Sequence, residues 1–420
     1  MKNRDLPLHR WVPWIAGYSA PFVRDIFAAF LGDRTQATVL DPFAGVGTTL
    51  VEARLAGHLA LGFEINPYPA LATRLKLIAH QIDLTSLTEA VATYQADASQ
   101  WEGRSVPQEL FPPGFRSRIP FFSPVVEAQV LHTLAFIDGM EDELLSSCFR
   151  VAFGATMVSF SNYTYEPSLG SRPGAGKELI EEADVPSIIS DKLQDMQQDI
   201  ALLQQHLGGQ PVLPHTLVED SFFSYREHLE PNSVDLVVTS PPYLNNYHYV
   251  RNTRPHLHWL RFISAAKEQK FLETGNFGQY WQNVRDKEDV ALTFEHAGLA
   301  QTLTALREIK PEKGAYGGRG WANYAATYFN DSHRLLAGLA WLLQSGGTAA
   351  IVVGNSILQG INLEVQELLG DLGKSLGLTL AGIHCLRDKR VGSSITRSGL
   401  RNHQNNRAQL AEYVVILQKP

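Results

Sequence analysis

The sequence predicts an α/β fold: a doubly wound, mostly parallel sheet with an antiparallel C-terminal strand pair and a mainly helical insertion. Three observations carry this. Residues 37–80, "ATVLDPFAGVGTTLVEARLAGHLALGFEINPYPALATRLKLIAH", alternate strand, glycine turn, helix, strand and helix. Strand patterning then stops and resumes at 211–223, at "VDLVVTSPPY" and at Thr348 to Val353. The last two apolar runs, "LTLAGIHCL" and "AEYVVILQKP", are joined by a connection without helical pattern, as in an antiparallel hairpin at a sheet edge.

In order, Ala37 to Leu40 form a short strand, Thr48 to Leu55 a helix ended by Gly57, and His58 to Phe63 a second strand. Pro67 suits the start of the next helix, where its missing N–H would have no partner anyway. Such alternation requires parallel strands with right-handed crossovers. From about 81 to 210, helical stretches such as "VPSIISDKLQDMQQDIALLQQHL" alternate with Pro/Gly-rich loops such as "LFPPGFRSRIPFF". This segment reads as a helical subdomain inserted between 1–80 and 211–420. A second irregular stretch, 250–325, is polar and aromatic. "NDSHRLLAGLAWLLQSGGTAAIVVGN" then gives a capped helix, a Gly-Gly stop and a strong strand.

A hydrophobic content of 44% with 19% charged residues suits a globular chain. No apolar run is long enough to span a bilayer, and "MKNRDLPLHRWVPW" lacks the apolar core of a secretory signal. Cys148 and Cys385 lie far apart without metal-type spacing, which argues for a reducing, cytoplasmic setting and no cysteine-based zinc site. With 36 basic and 43 acidic residues, the formal charge of −7 disfavours a general polyanion binder but allows local basic patches.

Two turns carry chemistry. "DPFAGVGTT" places Asp41, Phe43, Ala44, Gly45, Gly47 and Thr48 between a strand and a helix. The glycines permit positive φ and close approach of backbone to a ligand at the sheet's carboxyl edge. Glu64 ends the second strand, where doubly wound folds place a carboxylate for ribose hydroxyls. Leu50 stands where a third fingerprint glycine would fall, so an adenosine-bearing cofactor without phosphate fits better than a dinucleotide. Asp220, followed by Ser221, offers a carboxylate at the same edge for an adenine amino group. The plainer reading is a tight turn with two helix-capping acids.

The second turn is "TSPPY". Pro241 and Pro242 remove backbone donors, so Ser240 to Tyr243 presents mostly acceptors, suited to a substrate that donates, such as an amine. Tyr243 adds a flat face for a planar base. Acceptors that hold an aromatic amine's hydrogens pull its lone pair out of conjugation and ready it for direct attack on a methyl group. Taken alone, Pro-Pro is more often a strand-ending turn.

Together "DPFAGVGTT" and "TSPPY" resemble the amino-group DNA methyltransferases, which make N4-methylcytosine or N6-methyladenine with S-adenosylmethionine on a Rossmann-like sheet. The resemblance covers about 1–75 and 211–420. It implies that Asp41 to Thr48 wrap the methionine end of the cofactor, with Pro21 and Phe22 in a covering segment. It also implies that Glu64 takes the ribose, with Ile65 beside the adenine, and that Asp220 and Ser221 meet the adenine amino group. Ser240, Pro241, Pro242 and Tyr243 would hold the target amine, and serine before Pro-Pro-Tyr is more usual in cytosine-N4 members. Double-stranded DNA is the implied partner, with a cognate restriction or defence-system subunit beside it. The glycine turn precedes the Pro-Pro-Tyr turn with a helical insertion between them, which leaves 81–210, 250–325 and 387–407 as alternative target-recognition regions.

For nucleic acid, Tyr247, Arg251 and Arg254 in "YHYVRNTRPHLHWLRF" suit a basic, aromatic surface beside an extruded base. Arg387, Lys389, Arg390, Arg397 and Arg401 lie in a loop with six basic residues and one Asp, which is either a solvated connection or a phosphate contact. "GSRPGAGKE" departs from a P-loop in glycine spacing and in Glu178, although Arg172 and Lys177 suit phosphate contact. His256 and His258 lack a third ligand, so no metal is expected. Three other readings are an RNA guanine-N2 methylase, a protein glutamine methylase, and a non-catalytic DNA-binding subunit that keeps the fold. Ser240 counts against the first two, and the intact motifs against the third.

Overall fold

The run Thr38–Asp41 forms β1 and Leu59–Phe63 forms β2, paired in parallel with Val39 beside Ala60. The computed structural model describes residues 2–14, 17–165, 168–209, 212–245, 247–389 and 410–420. A small hairpin of β3 (Tyr163–Tyr165) and β4 (Leu169–Ser171) follows among helices. β5 (His215–Val218), β6 (Val234–Thr239) and β7 (Leu343–Gly354) return to the main sheet. β8 (Ser356–Leu358) and β9 (Ile361–Leu363) make a second small hairpin, and β10 (Thr379–Lys389) and β11 (Leu410–Gln418) close the chain.

The main sheet has the order β10-β11-β7-β6-β1-β2-β5. β11 runs antiparallel to both β7 and β10, while the other pairings are parallel. The expected antiparallel pair is present at the sheet edge. Within it β11 lies inside the sheet and β10 forms the edge, in keeping with the continuous buried run of β11 from Val414 to Leu417. From β1 the chain builds outward to β2 and β5, then crosses to β6 and β7. The order therefore reverses between β1 and β6, which opens a crevice at their carboxyl ends.

Both sheet faces are covered. Val39, Leu236, Val238, Ala350 and Val352 pack on Val23, Ile26 and Phe27 of the helix Ala20–Phe30. Leu40, Val237, Ile351 and Val353 pack on the helices Gly318–Leu342 and Val365–Ser375. The helices Leu84–Ala98, Pro124–Asp138, Glu143–Thr156 and Val185–Leu207 share an apolar cluster with Leu71 and Leu75 of the helix Pro67–Ile78. No helix among the described residues is long and apolar enough to cross a membrane.

Two sequence expectations shift. The helix expected near Asn330 starts at Gly318, and Asn330 lies inside it. Side chains at Gly317, Gly318 and Gly320 would strike the carbonyls of Lys310, Leu306 and Ala315, so these glycines allow close backbone approach and do not break the helix. The helix Val365–Ser375 has no counterpart in the sequence reading. Its Gly370 and Gly373 face Leu380 and Leu417 of the sheet, at 3.0 and 2.8 Å from an added Cβ.

Candidate active site

The turn after β1 is fastened from below. Buried Asp41 accepts from Phe43 N (3.0 Å), Thr239 Oγ1 (2.7 Å) and the Tyr18 hydroxyl (2.8 Å). Burial raises its pKa, and these bonds oppose that rise. Gly45 and Gly47 take φ of 53° and 82°, a region that favours glycine. Thr73 Oγ1 donates to Gly45 O and the buried Lys76 amine to Val46 O, each at 2.8 Å. Burial pulls the Lys76 pKa down to about 7.

Glu64 links this turn to the next helix. Its Oε2 accepts from Gly45 N (2.9 Å) and its Oε1 from Asn66 N (2.7 Å), and burial lifts its pKa to about 7. A carboxylate oxygen has room for two donors. Each oxygen therefore keeps acceptor capacity for a diol in the cleft. The close helix–strand packing that a third fingerprint glycine would permit is supplied from the strand side. An added Cβ at Gly62 would lie 2.7 Å from Leu50 Cδ2 and 3.2 Å from Ala44 Cβ.

The cleft over these groups measures about 900 Å³ including its open mouth. It brings together Asp41, Phe43, Ala44, Gly45, Thr48, Glu64, Ile65, Asp220, Ser221, Ser240 and Pro242. Asp220 is braced by accepting from Ser221 N (2.7 Å). Gly47 sits beneath the surface, where its added Cβ would meet Thr73 Cγ2 at 2.8 Å. Pro21 and Phe22 do not reach the cleft. They open the helix Ala20–Phe30, whose apolar face is committed to the sheet, and Phe22 packs on Tyr18 with ring centroids 5.6 Å apart. Trp14, Gly17 and Tyr18 just before that helix line the cleft in their place.

A further wall had no sequence signal. Gly275, which ends the helix Ala266–Gly275, lines the cleft together with Asn276 and Phe277 just after it. Phe277 meets Phe43 edge-on at 5.3 Å, and an added Cβ at Gly275 would lie 2.6 Å from Ile65 Cδ1. Among the described residues the lining holds three carboxylates and no lysine or arginine. That charge suits a cationic nucleoside and opposes a phosphate. Among the described residues, no group of three or more His, Cys, Asp or Glu side chains is arranged to hold a metal.

At the second turn, Ser240 and Pro242 line the cleft, whereas Pro241 and Tyr243 do not. The Tyr243 ring lies against Gly354, 3.3 Å from that residue's added Cβ, and its hydroxyl donates to Glu412 Oε1 (3.3 Å). Burial and Glu412 raise its pKa. Tyr249 stands at the cleft instead, also lining a second cavity with Tyr247, Tyr68, Asn252 and His256.

The nucleic-acid candidates separate. Tyr247 meets Tyr249 edge-on at 4.9 Å, while Arg251 and Arg254 line a different groove. His256 stacks on Tyr68 at 4.3 Å with Nε2 3.0 Å from Gly154 O, and burial lowers its pKa to about 4. Arg387 is paired with Glu412. The Lys389 side chain, Arg390, Arg397 and Arg401 lie outside the described residues. The segment "GSRPGAGKE" holds one short turn, Pro173–Ala175, with Arg172 Nε donating to Glu178 O (2.7 Å).

Over 457 aligned residues, the chain is 22% identical to the Type II methyltransferase M.BsoBI of Geobacillus stearothermophilus, covering 100% of this chain and 87% of that protein. The Type II methyltransferases M.AvaI of Nostoc sp. and of Anabaena variabilis each match at 22% over 449 residues, covering 100% of this chain and 88% of theirs. No protein-family model matches the chain. Among solved structures, the rRNA methyltransferase aviRa from Streptomyces viridochromogenes superposes at 10% identity over 97% of this chain and 87% of that one. Its TM-score is 0.31, too loose to carry an argument. The likeness to the amino-methyltransferase family, first carried by two short turns, is thus a likeness of the whole chain to Type II methyltransferases.

Proposed function

We propose, for a chain that resembles Type II methyltransferases from end to end, that it is an S-adenosylmethionine-dependent DNA methyltransferase acting on the exocyclic amine of an extruded base. Cytosine N4 is the proposed target, within a restriction–modification system. One observation carries the reading: Ser240 and Pro242 line the same cleft as Gly45, Glu64 and Asp220.

When bound, S-adenosylmethionine supplies an electrophilic methyl group on a sulfonium. The chain's residues do the rest. Glu64 accepts from the ribose hydroxyls, Asp220 from the adenine amino group, and Ile65 and Phe43 flank the ring. The Asp41–Thr48 turn holds the methionine end without offering positive charge. Ser240, at the cleft, would accept a hydrogen of the target amine and so turn its lone pair toward the cofactor. That nitrogen would receive the methyl group, and the amine would give up one proton to solvent in exchange. Direct transfer of this kind needs no nucleophile from the protein.

The test is transfer from methyl-labelled cofactor to DNA, followed by digestion to nucleosides. Label in N4-methylcytosine is the expected result. Label confined to N6-methyladenine would correct the base, and no label from any DNA would overturn the reading.

A further inference from the structure

Arg116, Arg118, Arg251 and Arg254 line one groove together with Phe115, Phe121 and Tyr163. Arg116 and Arg118 come from the Pro/Gly-rich loop of the first helical region. Arg251 and Arg254 sit three apart, and so on one face, of the helix Tyr249–Trp259, whose other face buries Val250, Thr253 and Leu257. Among the described residues no Asp or Glu lines this groove. Other arginines of this acidic chain are neutralised: Arg10 by Asp199, Arg24 by Glu52, Arg74 by Glu219, Arg319 by Asp289. Arg116, Arg118 and Arg251 are exposed and Arg254 is half-buried, so this concentration of positive charge faces solvent.

The groove is also built to hold its shape. The Tyr163 hydroxyl accepts from Arg118 N (3.1 Å), fastening the arginine loop to the β3–β4 hairpin. Tyr163 stacks on Phe121 at 5.2 Å, and Phe121 meets Phe115 edge-on at 5.6 Å. Asn252 Oδ1 accepts from Leu169 N (2.8 Å) and Tyr165 donates to Asn252 O (3.0 Å), tying the hairpin to the helix Tyr249–Trp259. The Arg254 guanidinium lies over the Phe115 ring at 5.6 Å. Tyr163 is common to this groove and the aromatic cavity, and Tyr249 is common to that cavity and the cleft. The three depressions therefore lie side by side, each sharing a wall with the next.

We infer that the Arg116–Arg118–Arg251–Arg254 groove grips the phosphate backbone of substrate DNA next to the target base. This rests on the DNA reading above and adds the place where the strand lies. Phosphate is the ligand these groups suit, since fixed guanidiniums bond its oxygens two at a time. The carboxylate-lined cleft repels phosphate, so the two depressions sort backbone from cofactor by charge.

The experiment is fluorescence anisotropy of the full chain with a labelled duplex, measured across a salt series. Each neutralised phosphate contributes about 0.9 to the slope of log K against log salt. The combined Arg116→Gln, Arg118→Gln, Arg251→Gln and Arg254→Gln variant is expected to lose about 3–4 from that slope. Between about 50 and 200 mM salt its affinity would then fall about 100-fold less than the wild type's. The Arg116/Arg118 and Arg251/Arg254 pairs, tested separately, are each expected to lose about half of that change. Cofactor affinity by calorimetry should be unchanged, which shows the variant folded, and Arg319→Gln should leave the slope unchanged. An unaltered slope in the combined variant overturns the inference even if the wild type methylates DNA. Tighter, arginine-dependent binding of single-stranded RNA than of duplex overturns DNA as the occupant. Absence of methyl transfer by the wild type bears on the proposed activity and leaves the slope comparison intact.

Discussion

The two turns that meet at the cleft are built on opposite plans. The Asp41–Thr48 turn uses its polar groups inward: Asp41 accepts three hydrogen bonds, Gly45 N goes to Glu64, and Gly45 O and Val46 O accept from Thr73 and Lys76. Its ligand surface is shaped by glycines at positive φ, with the Phe43 ring beside them. The Ser240–Tyr243 turn has two prolines that cannot donate, and it places a hydroxyl and acceptors at the lip. One turn is thus a shape and the other a set of acceptors. Damage to the first should abolish binding, and damage to the second should slow chemistry while binding survives.

The largest effect is expected at Gly45. Gly45→Val puts a β-branched residue at φ 53°, a strain of about 1–3 kcal/mol. Its Cβ would lie 3.2 Å from Trp14 Nε1, with its methyl groups competing for the cleft. Calorimetry should detect no cofactor binding while far-ultraviolet circular dichroism keeps the wild-type shape. Near-normal affinity would break the contrast between the turns.

Next comes the proline turn. Ser240→Ala is expected to lower single-turnover methyl transfer about 100-fold, the usual cost of one positioned polar group at a reacting centre. Cofactor affinity should stay within about twofold, since a group that acts only on the transition state leaves ground-state binding alone. Equal losses in affinity and turnover would show that the second turn also shapes the cofactor site.

Both turns were legible because their residues are local. Strand, glycine turn and helix lie within Thr38–Leu55, and the helix bounds match the sequence reading. What escaped was assembled over distance. Trp14 and Tyr18 reach Gly45 and Asp41 from before the helix Ala20–Phe30, in a stretch with no periodic signal of its own. Phe277 reaches Phe43 from more than two hundred residues away. Lys76 resembles any helix-surface lysine until the turn folds over it and takes its amine as a donor. The close packing of Gly318 on Leu306 and of Gly370 on Leu380 likewise depends on distant partners. Tyr243 was expected at the lip because aromatics after Pro-Pro suit stacking, but Gly354 leaves room for the ring beside it and Tyr249 lines the cleft instead.

Glu64 should make cofactor binding depend on pH. Burial lifts its pKa from the ordinary 4.5 to about 7, so the neutral acid predominates below 7 and the carboxylate above it. If ribose hydroxyls bind the carboxylate, cofactor affinity should fall with acidity below pH 7, approaching tenfold per unit. Glu64→Gln should bind more weakly with a flatter profile. The ligand-free protein gives the opposite sign. A carboxyl whose folded pKa is raised stabilises the fold below its unfolded pKa and loses that contribution as pH rises through about 7. Thermal melts of wild type against Glu64→Gln should therefore show the wild type losing ground between pH 4.5 and 7. Parallel melting curves would mean that Glu64 is ionised throughout.

The smallest expected effect separates the ring of Tyr243 from its hydroxyl. The hydroxyl donates to Glu412 and also meets the Ser240 side chain, while the ring rests on Gly354. Tyr243→Phe removes the hydrogen bonds to Glu412 and Ser240, each worth about 0.5–1.5 kcal/mol, and keeps the wedge. Turnover should remain within about threefold of wild type, with the loss appearing in melting temperature. Tyr243→Ala removes the wedge and should behave like Ser240→Ala, because the carbonyls lose the surface that fixes their direction. A Phe variant as slow as the Ala variant would move the hydroxyl into the chemistry and make the proline turn a proton-handling device. A fast Phe and a slow Ala would show that the second turn, like the first, works through shape, with Ser240 adding the one polar contact that the glycine turn lacks.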